Sequence, residues 1–215
     1  FHDALIGTSF AYLKDAPILI TASNSLEDKV LTEIKRLQAK TIYILGNQQS
    51  ISSLVENQLK KSYQVIRLGD IDKLGTAVKV GQEIRKIKQF DKVFIATQEN
   101  FPDALAAAPI SAQFTYPILF SHKDSLRGDT KKALSDWGIS QVFIVGGENV
   151  VSAKVEAELK QQGIKVIRIG GADRYLTSLY LAQNFEAAGT VGSSRYANLF
   201  IATGSNFPDA LTGAV

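Results

Sequence analysis

Short, continuous apolar runs alternate with amphipathic stretches from one end of the chain to the other. Val93-Phe94-Ile95-Ala96-Thr97, Tyr116-Pro117-Ile118-Leu119-Phe120-Ser121, Val142-Phe143-Ile144-Val145 and Val166-Ile167-Arg168-Ile169 each have strand length. Because these runs are continuously apolar and do not alternate with polar residues, they predict parallel strands covered on both faces. Helices are expected between them: about 102–114, Asp129 to Trp137, Ser152 to about Gln162, and Asp173 to about Ala187. Gly138-Ile139 and Gly163-Ile164 fit helix stops, a left-handed glycine followed by an apolar residue folding back on the last turn.

The first hundred residues follow the same plan. Pro17-Ile18-Leu19-Ile20 matches Pro117-Ile118-Leu119-Phe120 and is expected as a strand, as is Leu199-Phe200-Ile201-Ala202-Thr203, which matches Val93 to Thr97. Ile42 to Gly46 matches Val142 to Gly146, Val65 to Gly69 matches Val166 to Gly170, and Val30, Leu31, Ile34 and Leu37 form a helical stripe. The motif Asn100-Phe101-Pro102-Asp103-Ala104-Leu105 returns as Asn206 to Leu211 and, altered, as Phe1-His2-Asp3-Ala4-Leu5. Phe1, Phe101 and Phe207 are 100 and 106 residues apart. The fold class is therefore α/β: Rossmann-like layered parallel sheets built from tandem βα repeats of about 100 residues. The repeat divides the chain into 1–66, 67–167 and 168–215, the first and last incomplete; these two are expected to pair as one domain, or else the fold is offset from the repeat boundaries.

Composition narrows the function. The 215 residues are 45% hydrophobic, enough for a substantial core, and carry a net charge of +3 without the dense basic runs of nucleic-acid binders. No cysteine is present, which excludes disulfides, thiolate metal sites and a cysteine nucleophile. No methionine is present either, which fits a piece of a longer protein whose export signal, if any, lies elsewhere. No apolar run approaches the roughly 18 residues needed to span a bilayer. His2 and His122 have Pro102 and Ala22 as counterparts, so neither histidine recurs, and Asp3, Asp103 and Asp209 supply one carboxylate per unit and not a pair. No catalytic residue, metal or cofactor is expected.

Several motifs in order carry a family resemblance: Ala202 to Leu211, Pro117-Ile118-Leu119, Val145-Gly146-Gly147-Glu148-Asn149-Val150, and Arg168-Ile169-Gly170-Gly171-Ala172-Asp173-Arg174-Tyr175. Together they resemble the cell wall binding repeat 2 family of Gram-positive, notably clostridial, surface proteins. The resemblance implies secretion to the cell surface and noncovalent attachment to an anionic wall polysaccharide or teichoic-acid-like polymer, with neighbouring repeats packed in a pseudo-threefold assembly. It also associates Pro117, Ile118 and Leu119 with the polymer, although Ile118 and Leu119 read physically as strand core.

Candidate polymer contacts lie just after the strands, where parallel sheets open a crevice and helix N-termini present N–H groups. They are Asn100, Asp103, Lys123, Gly146 and Gly147, with Arg168, Arg174 and Tyr175. The planar donors of Arg174 suit a phosphate or carboxylate, or a structural ion pair with Asp173 or Asp209. Asp103 fits a strand-to-helix joint as well as a ligand contact, and Gly146-Gly147 a tight turn as well as a phosphate cradle. Asp72-Lys73-Leu74 replaces Asp173-Arg174-Tyr175 in the second unit, which is expected to bind differently, and about Gly189 to Arg195 reads as a loop insertion. Two other functions share this fold class: a nucleotide- or sugar-processing enzyme with one deep polar pocket, and a surface-layer self-association module.

Overall fold

Parallel strands set the architecture of the computed structural model, which describes residues 2–187, 199–205 and 208–213. Its elements are α1 (His2–Leu13), α2 (Asp28–Arg36), β1 (Thr41–Leu45), α3 (Ser53–Lys60), β2 (Gln64–Leu68), α4 (Lys73–Ile87), β3 (Lys92–Thr97) and α5 (Pro102–Phe114). There follow β4 (Ile118–Ser121), α6 (Gly128–Asp136), β5 (Gln141–Val145), α7 (Ala153–Gln161), β6 (Lys165–Ile169), α8 (Arg174–Ala187) and α9 (Pro208–Thr212). One sheet has the order β4-β3-β5-β6 and the other pairs β1 with β2, every described pairing being parallel. The chain leaves β3 toward β4 and then crosses to the other side for β5, so the strand order reverses between β3 and β5.

Local chemistry explains the joints. Asp72 and Asp173 cap α4 and α8 through the N–H groups of Gly75 and Leu176, at 2.9 and 2.8 Å. Pro102 opens α5 with its fixed φ and no wasted donor. Gly138 and Gly163 adopt φ of 63° and 76°, and the N–H groups of Ile139 and Ile164 reach back to Leu134 and Leu159, as expected of such stops. The first unit does the same with Gln38 at φ 53°.

The main core runs through the β3 sheet into its neighbours. Phe94, Ile95, Ile118, Leu119, Phe120 and Ile144 are fully buried, and Leu5, Ile6 and Phe10 of α1 and Leu211 of α9 belong to the same cluster. A smaller cluster, Ile34, Ile44, Val55 and Leu59, serves the β1–β2 sheet.

Two expected strands do not form. Pro17-Ile18-Leu19-Ile20 lies in irregular backbone, and so does Leu199-Phe200-Ile201-Ala202-Thr203, with Leu199, Phe200 and Ile201 being 80, 88 and 91% exposed. The reason is topological. In the second unit β4 pairs with β3 alone, so its counterpart at Ile18 has no ladder unless a strand occupies the β3 position beside it. Leu199 to Thr203 is itself a β3 counterpart, and among the described residues it has no β4-like or β5-like neighbour. The expected insertion at Gly189 to Arg195 lies outside the described residues.

Candidate functional site at the carboxyl edge

The strand-order reversal between β3 and β5 is where a parallel sheet offers its ligand crevice. Here that crevice is filled from within. Gly146 turns after β5 at φ 111°, and a Cβ built on it would lie 2.6 Å from Asp103 Oδ2, so the absent side chain makes room for the aspartate from the start of α5. The first unit repeats the device: a Cβ on Gly46 would meet Asp3 Oδ2 at 2.4 Å, and the Ser50 hydroxyl donates to the same oxygen at 2.7 Å. Gly170 also presses on this turn, its Cβ position lying 2.5 Å from the Gly146 carbonyl carbon. Gly146 thus lies in a tight turn with Gly147 beside it, and Asp103 packs into that turn from the start of α5.

Burial pushes the Asp103 carboxyl above its ordinary value of 3.8, against the opposing pull of a Thr177 hydrogen bond and the Arg174 charge. A raised folded value means that the proton is held more tightly in the native state than in the unfolded one. Asp103 therefore stabilises most below the unfolded value, and that contribution declines as pH rises through the folded one. Relative to Asp103→Asn, the wild type should lose unfolding free energy as pH is raised from about 3 to 7. Denaturant titrations of both proteins at several pH values measure this, and a constant difference would contradict it. Carboxylates shifted the other way, such as Glu56, Asp129 and Glu156, are common to both proteins and cancel in the difference.

Arg168 is spent inside the molecule. Its guanidinium donates to Glu156 Oε2 at 3.1 Å, to the carbonyl of Val151 at 2.7 Å and to that of Gly146 at 3.1 Å. Arg67 makes a closely similar clamp in the first unit, through Glu56 and the carbonyls of Gly46, Asn47 and Ile51. Both arginines tie the glycine turn to the following helix and have few donors left for a ligand. Ile118 and Leu119 are 1 and 0% exposed on β4, and Pro117 beside them is buried, so the Pro-Ile-Leu segment of the second unit is core.

The remaining candidates lie at the surface, at the junctions between units. Arg174 begins α8, and its Nη1 donates to the Gly204 carbonyl at 2.7 Å, with the guanidinium 5.9 Å from the Phe101 ring centre. Tyr175 beside it is 60% exposed, and Asn100 and Lys123 are exposed at the ends of β3 and β4. Lys73, at the place of Arg174 one unit earlier, donates its Nζ to the Gln98 carbonyl at 2.6 Å. Gln98 stands one unit before Gly204. The two cations therefore make the same contact despite the different residue types, and the repeat alignment is the signal by which Lys73 should have joined the candidates. Beside them stand His122, next to Lys123 after β4, whose Nδ1 lies 2.7 Å from Gln98 Nε2, and Arg127, which pairs with Asp72 and Asp129 and which the sequence did not single out. They are particular to the second unit, so repetition gives no hint of them.

Fold and edge together define a class: a repeat protein of parallel α/β units whose switch-point crevices are closed by their own side chains. Among the described residues no acidic or histidine cluster suits a metal, and no helix is long and apolar enough to cross a membrane. The comparisons give the family. The model of the Cell wall binding domain 2 (CWB2) family matches residues 1–56, 67–156 and 168–215, and the chain belongs to that family. It is 29% identical over its whole length to the N-acetylmuramoyl-L-alanine amidase LytC of Bacillus subtilis and 32% identical to the amidase enhancer of the same organism, covering 40 and 28% of those proteins. Among solved structures, Cwp8 from Clostridium difficile superimposes with a TM-score of 0.81 at 28% identity, covering 99% of this chain and 36% of that one. Cwp6 from the same organism gives 0.81 at 27%, covering 86 and 30%. The chain thus spans less than half the length of these relatives, and the family match assigns it to their cell wall binding domain.

Proposed function

We propose that this chain anchors a surface protein noncovalently to the wall by gripping an anionic polymer at the junctions between its units. Arg174, Tyr175, Asn100 and Lys123, joined by Lys73, are the contacts, with the guanidinium of Arg174 engaging phosphate or carboxylate oxygens. Arg168, Asp103, Gly146, Gly147, Pro117, Ile118 and Leu119 act behind them by holding the turns and strands that place these groups. The observation that carries the proposal is the repetition: each crevice is plugged by an aspartate, while the cation at each junction sits at the same carbonyl. That arrangement favours several shallow, related grips over one deep site, and it counts against the enzymatic alternative. The grip also locates the protein at the cell wall, and the sheets, more than the repeat boundaries at 67 and 168, delimit the working units. Nothing in this reading requires nucleic acid, a metal or a cofactor.

Binding of this kind rests on exposed charge pairs. Retention on purified walls should fall steadily as salt is raised, because exposed contacts are screened within about 10 Å at 0.1 M. Arg174→Ala should weaken retention by up to about fivefold at low salt, the worth of roughly 1 kcal/mol for an exposed pair, in a protein that remains folded at the temperature of the assay. Retention that is indifferent to both changes would contradict the proposal.

A further inference from the structure

At the amino edge of the β4-β3-β5-β6 sheet, the opposite end of the strands from the junction contacts, the face under α5 and α8 is left open. Lys92, Gln141 and Lys165 stand side by side there as the first residues of β3, β5 and β6. Two residues on, and so on the same face, Phe94, Phe143 and Ile167 form the row behind them. Above these rows α5 ends at Phe114 and α8 brings Asn184 and Phe185, and a cavity of about 260 Å³ lies between the helices and the strands.

Aromatic rings make its walls and cations its rim. Phe143 and Phe185 are buried with ring centres 4.9 Å apart, while Phe114 and Tyr116, stacked at 5.7 Å and 21°, are half-buried and line the space. Lys92 Nζ lies 5.9 Å from the centre of the Tyr116 ring, Lys165 is exposed on the edge strand, and no carboxylate is among the described residues that line the cavity. The first unit is built differently. Its outer row has Thr41 beside Gln64, the Thr41 hydroxyl donating to Gln64 Oε1 at 3.2 Å, and Lys14, Ala16 and Glu83 hold the places of Phe114, Tyr116 and Asn184. The arrangement is therefore a property of the second unit and not of the repeat.

We propose that this cavity binds one acidic sugar residue, its ring against the aromatic walls and its carboxylate or phosphate between Lys92 and Lys165. The C–H groups of a sugar ring carry slight positive charge and suit the negative face of an aromatic ring. Its hydroxyls both donate and accept, as do the side-chain amides of Gln141 and Asn184. Neighbouring strands lie ~4.8 Å apart, so the two lysines, with β5 between them, start about 10 Å from each other and their flexible stems converge on a single anion. A purely apolar ligand would leave both cations and both amides unanswered. A space of about 260 Å³ is also smaller than the pockets that take drug-sized molecules, which limits the occupant to about one ring. That the sugar comes from the wall polymer rests on the anchoring proposed above; the affinity for the sugar itself does not.

Titration of the isotope-labelled chain followed by amide NMR tests this. Glucuronate and glucose 6-phosphate are the probes, with glucose as the neutral sugar and benzoate as a flat apolar anion. Either acidic sugar should shift the amides at the starts of β3, β5 and β6 and at Phe114 to Tyr116, with a Kd of about 1 mM, the affinity that so few heavy atoms support. Glucose and benzoate should each bind at least about tenfold more weakly, and Lys92→Ala combined with Lys165→Ala should weaken the acidic sugars about tenfold, the worth of two exposed charge contacts. The comparison among ligands needs only wild type, so it stands even where the double variant folds poorly. No saturable shift, shifts confined to the carboxyl edge at Asn100 and Lys123, or glucose or benzoate binding as tightly as the acidic sugars would overturn the proposal. So would a folded double variant of unchanged affinity. Absent shifts with wall retention intact would remove this site and leave the anchoring, whereas the shifts without retention would remove the anchoring and leave the site.

Discussion

Leu119→Ala should lower the stability of the chain by about 2–5 kcal/mol while leaving the wall affinity of the folded protein unchanged. Leu119 is wholly buried on β4, opposite Ile95 of β3, in the cluster that also holds Phe94, Phe120 and Ile144. Removing its side chain deletes contacts on every side and leaves a cavity that the close-packed sheet and its covering helices fill only in part. For a domain of this size each kcal/mol corresponds to roughly 2–4 °C of unfolding temperature, so the variant should melt about 4–20 °C lower. The family resemblance associates this Pro-Ile-Leu segment with the polymer, and the two roles separate cleanly. A core role shifts the melting temperature and spares retention measured well below it; a contact role does the reverse. Leu119→Ala that melts normally yet loses the wall would overturn the assignment.

A second large effect concerns the polymer. Wall polymer long enough to reach two junctions should bind about 10²–10⁴ times more tightly than fragments that reach only one, because the second contact forms within a complex already made. In the proposed reading the two contacts are Arg174 at Gly204 and Lys73 at Gln98, which make the same hydrogen bond one unit apart. Arg174 is exposed and Lys73 half-buried, and either cation alone would hold the polymer weakly. Calorimetry with size-fractionated polymer measures the dependence, and affinity that is flat with length would mean a single self-sufficient site.

Much of this was legible from residue pattern alone. The continuous apolar runs at β3, β4, β5 and β6 and the glycine stops at Gly138 and Gly163 specify their elements locally, because burial on both faces and a left-handed turn leave signatures in residue type. The same signatures at Ile18 and Leu199 led to strands that do not form, since a strand exists only when a neighbour completes its ladder. The pattern gives the capacity of a segment to pair, and topology decides whether it does.

The candidate site was less legible for a related reason. Asp103 and Gly146 are 43 positions apart, and nothing local says that the aspartate fills the space of the missing Cβ. Arg168 stands among the candidates as the first residue of the motif that runs to Tyr175, and the motif does not show what its guanidinium touches. Its partner Glu156 lies on the next helix back, and the pair Arg67 with Glu56 repeats it about a hundred residues earlier. A charge pair conserved between units of one chain points to a shared structural clamp. Arg174 differs in kind: it is exposed, and it sits at a junction in place of a turn.

The most direct test of polymer anchoring is sedimentation of the intact chain with purified cell walls before and after extraction of their anionic polymer. Retention should disappear on the stripped walls, and adding the extracted polymer to the chain beforehand should block binding to the intact ones. Equal retention on both wall preparations would contradict the account.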